Sequence, residues 1–100
     1  MIKVSFLKDK DDKINGFEID NHGRDIVCSA VSILSLNTIN SLEAFTEVPF
    51  EVDYNPEGGF LKCVLKEQCA KSELLINSLE LGLKGIEMEY AEDIFIKYKI

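Results

Sequence analysis

Apolar residues recur along this chain with two different periods, and the switches between those periods leave few folds open. Ile2, Val4 and Phe6 alternate with Lys3 and Ser5, the pattern of a strand with one buried face. Lys8-Asp-Lys-Asp-Asp-Lys13 follows as a solvated turn. Phe17 and Ile19 then alternate with Glu18 and Asp20 in a second strand, which ends at Asn21, His22 and Gly23. From Asp25 to Phe45 the step lengthens: Val27, Val31, Leu34, Thr38, Leu42 and Phe45 lie three or four residues apart, one face of a helix of about twenty residues.

The cycle then repeats. Val48, Phe50, Val52 and Tyr54 alternate with Glu47, Pro49, Glu51 and Asp53, and Asn55-Pro-Glu-Gly-Gly59 supplies a turn before a return strand from Phe60 to Lys66. Pro49 has no amide proton for a ladder, so its strand starts there or lies at a sheet edge. Leu75, Leu79, Leu83 and Ile86 predict a second helix from about Gln68 to Tyr90, with Gly82 and Gly85 either weakening it or admitting a close neighbour. Ile94, Ile96, Tyr98 and Ile100 predict a last strand.

This order, ββαββαβ, predicts an α+β two-layer sandwich: one mixed five-stranded sheet with both helices packed on one face. One hundred residues, 46% of them apolar, suit a single domain over 1–100. Three cysteines cannot all pair within one chain, so Cys28, Cys63 and Cys69 are expected as free thiols in a reducing compartment. No cysteine pair has the C-x2-C spacing of a zinc site and there is one histidine, so no metal is expected. A net charge of −7 disfavours direct nucleic-acid binding and favours basic partners. Lys3 interrupts the first apolar stretch, so the expectation is no leader, no membrane span and a cytoplasmic protein.

The chain's one histidine, His22, stands six positions before Cys28, which falls near the start of the first helix. A thiol becomes a strong nucleophile only as thiolate, and an imidazole within reach takes its proton near neutral pH. Asp25 is the best N-cap in this stretch, which would put Cys28 at the third helical position, where unpaired amides and the positive end of the helix favour a thiolate. The same carboxylate opposes that effect. Ser32, one turn on from Cys28, shares its face; its hydroxyl is suited to the sulfur, to a substrate, or to bonding back within the helix. Cys63 and Cys69 read as structural. His22 has the strand parity of Glu18 and Asp20, the polar side, whereas the helix covers the apolar side. The chain must therefore bend near Asn21 for His22 and Cys28 to meet, and Gly23 makes a bend inexpensive.

The combination of a histidine closing the second strand, Gly23-Arg-Asp-Ile-Val-Cys-Ser-Ala-Val-Ser32, Leu34 and Asn37-Thr-Ile-Asn40 resembles the bacterial ribosomal-processing cysteine proteases, the Prp family. Gly16-Phe17-Glu18-Ile19 is similar to that family's second strand, and Leu74-Leu75, Leu79, Gly82-Leu83 and Tyr90 to its second helix and exit. Asn21 stands where the family usually has glycine, Ala91 where proline is common, and the loop before Gly23 is much shortened. The resemblance implies a cytoplasmic, homodimeric endopeptidase without cofactor that removes an N-terminal extension from large-subunit ribosomal protein twenty-seven during ribosome assembly. In it Cys28 would be the nucleophile, His22 the base, and Asp25 and Ser32 supporting or substrate-positioning residues. Amides at the helix start would form the oxyanion hole. The alternative is a non-catalytic dimeric interaction module of ribosome assembly.

Overall fold

The alternating segments at the start of the chain form a hairpin, β1 (Ile2–Lys8) and β2 (Ile14–Asp20), in the computed structural model, which describes residues 1–100. Helix α1 (Asp25–Phe45) follows, then the hairpin β3 (Phe50–Tyr54) and β4 (Phe60–Leu65), helix α2 (Ala70–Glu89) and β5 (Ile94–Lys99). The strands make one sheet in the order β3-β4-β2-β1-β5, with β1 and β5 parallel and the other neighbours antiparallel. The mixed sheet and ββαββαβ order are those expected from periodicity.

Register explains the core. Val52, Cys63, Phe17, Phe6 and Tyr98 are aligned across all five strands, and beside them Tyr54, Leu61, Ile19, Val4 and Ile96 form a second row. Successive side chains alternate faces, so both rows share one side of the sheet. Val4, Phe6, Phe17 and Cys63 are fully buried there, together with Val27, Val31 and Leu42 of α1 and Ile76, Leu79 and Leu83 of α2. The opposite side carries Glu18 across from Lys62, and Lys62 across from Asp53, cross-strand neighbours of opposite charge.

Cross-strand position also accounts for Pro49 and Gly82. Pro49 precedes β3, which is an edge strand, and keeps a role through its carbonyl, which accepts the Lys66 amide. A Cβ on Gly82 would come within 3.1 Å of Leu34, so this glycine admits α1 rather than marking a weak point. Helix α1, at 21 residues, is long and apolar enough by composition to cross a bilayer, yet it buries Val27, Val31, Ser35, Thr38, Ile39 and Leu42 within this fold.

The apolar face of β3 is only partly covered: Phe50 packs against the core, but Val52 is 38% and Tyr54 62% exposed, because the sheet extends past the edge of the helical layer on that side. The uncovered strip becomes the wall of a groove.

Candidate active site

Between β3, the end of β2 and the outer flank of α1 runs a groove of about 390 Å3, lined by Val31, Leu36 and Ile39 on one side and Val52, Tyr54 and Leu61 on the other. His22, Cys28 and Ser32 also line it. The fold therefore brings three of the four candidate residues into one cleft. Asp25 stands exposed on the first turn of α1 and is not among the groove-lining residues. A larger depression of about 800 Å3 at the far end of α1 includes Cys69 but no histidine.

The bend that allows this falls on Asn21, whose φ of +70° ends β2 and turns His22 out of strand parity. Asparagine is among the few side chains that tolerate that conformation. Gly23 serves a different purpose from the one expected. A Cβ there would lie 3.1 Å from the Asp93 carbonyl and 3.4 Å from Ile2, so glycine lets the junction lie flat against β1 and the start of β5.

The helix start is also shifted by one residue. Arg24, in extended conformation, is the N-cap and makes no side-chain cap; Asp25 is the first helical residue, so Cys28 is fourth. The reason lies 69 residues away, where the Asp93 carboxylate accepts from Arg24 Nε at 2.9 Å, Nη2 at 2.6 Å and the Arg24 amide at 3.4 Å. Asp93 is buried, 8% exposed, and its own carbonyl accepts the Ile2 amide. Thus an anchored carboxylate grips the residue whose carbonyl accepts the Cys28 amide at 2.9 Å. Asp25, in the first turn, still faces the helix's positive end, where a carboxylate is favourable.

The Cys28 sulfur is held by backbone rather than by imidazole. Gly23 N–H donates to Sγ at 3.1 Å, and the thiol returns a bond to the Gly23 carbonyl at 3.5 Å. The His22 ring and the Ser32 hydroxyl take no part in these bonds, which leaves both turned to the groove that they line. The other thiols differ in kind. Burial pushes Cys63 up to about 11, which removes it from nucleophilic chemistry near neutrality. Cys69 is an exposed N-cap of α2: its sulfur accepts the Ser72 amide, its amide donates to Ser72 Oγ, and hydrogen bonds from Ser72 hold its thiol below the ordinary value. Cys69 is thus structural as a cap while remaining accessible.

The Arg24 fork holds the Asp93 carboxyl below its ordinary value. A carboxyl depressed on folding stabilises the fold above the unfolded carboxylate range, and that contribution disappears as pH falls through the lowered folded value. Asp93→Asn should therefore melt below the parent protein at pH 7, with the gap closing as pH drops below about 4, the usual aspartate range. Thermal melts across pH check this; a gap independent of pH would mean that the ion pair does not contribute through charge.

A family model described as cysteine protease Prp matches residues 1–95. The ribosomal processing cysteine protease Prp of Staphylococcus aureus is 26% identical, the match covering 99% of this chain and 100% of that protein. The protein of the same name from Bacillus subtilis is 23% identical over 100% and 99% of the two chains. Among solved structures, the essential ribosomal processing protease Prp of S. aureus, in complex with a covalently linked product peptide, superposes with a TM-score of 0.94 at 26% identity, covering 99% of this chain and all of that one.

Proposed function

The chain belongs to the cysteine protease Prp family and is a cysteine peptidase, and from that premise we propose that it removes the N-terminal extension of large-subunit ribosomal protein twenty-seven, with Cys28 as nucleophile and His22 as base. The observation that carries the reading is the convergence of His22, Cys28 and Ser32 on a single groove walled by apolar side chains. A groove of this shape suits an extended peptide with apolar residues, and the chain's net charge of −7 suits the basic body of a ribosomal protein. The S. aureus relative is itself named for ribosomal processing and holds a covalently linked product peptide.

The chemistry is acyl transfer. His22 takes the Cys28 proton; the thiolate attacks the scissile carbonyl, and the amine leaves with a proton returned by the imidazolium. Water activated by His22 then hydrolyses the thioester and frees Cys28. The amides of Asp25 and Ile26 have no acceptor within the chain and are the donors we assign to the oxyanion. Ser32, on the Cys28 face of α1, positions substrate, and Asp25 supports the helix start.

We place the protein in the cytoplasm as a homodimer that binds peptide rather than nucleic acid. An exposed ridge at seven-residue spacing on α2, Leu74, Leu81 and Met88, 70%, 75% and 87% exposed, is the surface that suits a second copy. The purified protein, incubated with the N-terminally extended ribosomal protein, should release the extension at a single bond, and sedimentation at micromolar concentration should show a dimer. An untouched precursor would overturn the substrate, and a monomer the assembly. The interaction-module alternative has no comparable support, since the family is one of proteases and both reactive residues are present.

A further inference from the structure

The His22 imidazole, the base in the reading above on which this inference rests, takes no side-chain hydrogen bond from the Cys28 thiol, and no carboxylate or amide side chain orients it. Something else must hold the ring. The turn between β3 and β4 lies directly against it. That turn is closed by the Gly58 amide on the Asn55 carbonyl at 2.9 Å, the Glu57 amide on Asn55 Oδ1 at 3.0 Å, and the Asn55 amide on the Phe60 carbonyl at 3.1 Å. Beyond the last β2–β4 pair, Asp20 with Phe60, the Asn21 amide donates to the Gly59 carbonyl at 2.9 Å. The residue before the base is therefore tied to the turn facing it.

Gly58 and Gly59 have φ of +91° and +86°, the left-handed region that glycine enters freely. They differ in what a side chain would meet. A Cβ on Gly59 would stand 3.0 Å from His22 Nε2 and 3.7 Å from two of its ring carbons, whereas one on Gly58 would stand 3.5 Å from Cε1, an ordinary contact. Bare backbone at 59 is thus the surface on which the imidazole rests. We propose that Gly59 is a positioning residue for catalysis: its missing side chain, at the tip of a hairpin more than 30 residues from the base, lets His22 lie where it can exchange a proton with Cys28.

The pair of glycines supplies its own control, because alanine at either position meets similar backbone strain but only at 59 does it press on the ring. Gly58→Ala and Gly59→Ala should therefore lose similar amounts of thermal stability. Gly59→Ala should lose about 3- to 10-fold in kcat with KM little changed, because the ring must give by a few tenths of an ångström and a full misplacement of about 1 Å costs about 10²-fold, and Gly58→Ala should lose little beyond what its stability loss explains. Alkylation of Cys28 by iodoacetamide, followed site by site in a Cys69→Ser background that keeps a good N-cap, reads the same effect without substrate. Gly59→Asn and Gly58→Asn repeat the comparison with the side chain that best tolerates positive φ, should the alanine variants fail to fold. Equal kcat losses at 58 and 59, tracking stability, would overturn the assignment while leaving the base intact. Full activity in His22→Ala would instead overturn the base itself, and the seat with it.

Discussion

Cys28→Ala should lower the cleavage rate by on the order of 10⁴-fold or more while leaving a folded protein. The size of the loss follows from chemistry: without sulfur there is no acyl-enzyme, and binding with oxyanion donors alone leaves only a residual advantage over water. The mildness of the structural effect follows from geometry. Cys28 is only half-buried, and its sulfur bonds to Gly23 at the groove rather than filling the centre of the core. His22→Ala should cost less, about 10²- to 10⁴-fold, because a thiol ionises to some extent unaided. The difference between the two variants is itself informative. Cleavage surviving in Cys28→Ala would sink the nucleophile, and a His22→Ala enzyme that recovers fully at high pH would show that the imidazole acts only by taking the proton.

Much of this site could be read from residue order, and what could not was non-local. The span of helix α1 was legible apart from its N-cap, since a 3.6-residue period sustained from Val27 to Leu42 has no other interpretation. The bend before His22 was also legible, because parity demanded one, and the positive φ at Asn21 supplies it. The cap was not. Asp25 has the better intrinsic capping chemistry, and Arg24 displaces it only because Asp93, distant in sequence, binds both its amide and its guanidinium. Local propensity holds no information about such a partner. Strand β3 shows a second limit: alternation of Phe50, Val52 and Tyr54 states that one face avoids water but not what covers it. Here a groove takes the place of core. The shortened loop between His22 and Cys28 has a counterpart in the structure too, since the Arg24–Asp93 clamp and the Gly23 contacts with Asp93 and Ile2 hold the remaining residues in place.

The largest expected loss of stability lies beneath the sheet rather than at the site. Phe17 is fully buried, aligned between Phe6 on β1 and Cys63 on β4, at the point where the row of inward side chains crosses the middle strand. Truncation to alanine removes the ring's transfer energy and leaves a cavity between the sheet and the helices, floored by a central strand that its ladders to β1 and β4 hold on both sides, so collapse offsets it only in part. The cost should be about 3–5 kcal/mol. A domain of this length has roughly 5–15 kcal/mol in total, so Phe17→Ala should melt more than about 10 °C below the parent protein. Ile33→Ala removes an apolar residue that is 68% exposed on α1, outside both the groove and the α2 ridge, and should stay within about 0.5 kcal/mol. Below its melting point the Phe17→Ala protein should cleave at a near-normal rate per folded molecule, because His22 and Cys28 are placed by Asn21, Gly59 and the Arg24–Asp93 pair rather than by the ring. A melting loss equal to that of Ile33→Ala would show that the sheet closes over the void. A lost kcat in the folded variant would show that the core, and not the junction, sets the geometry of the site.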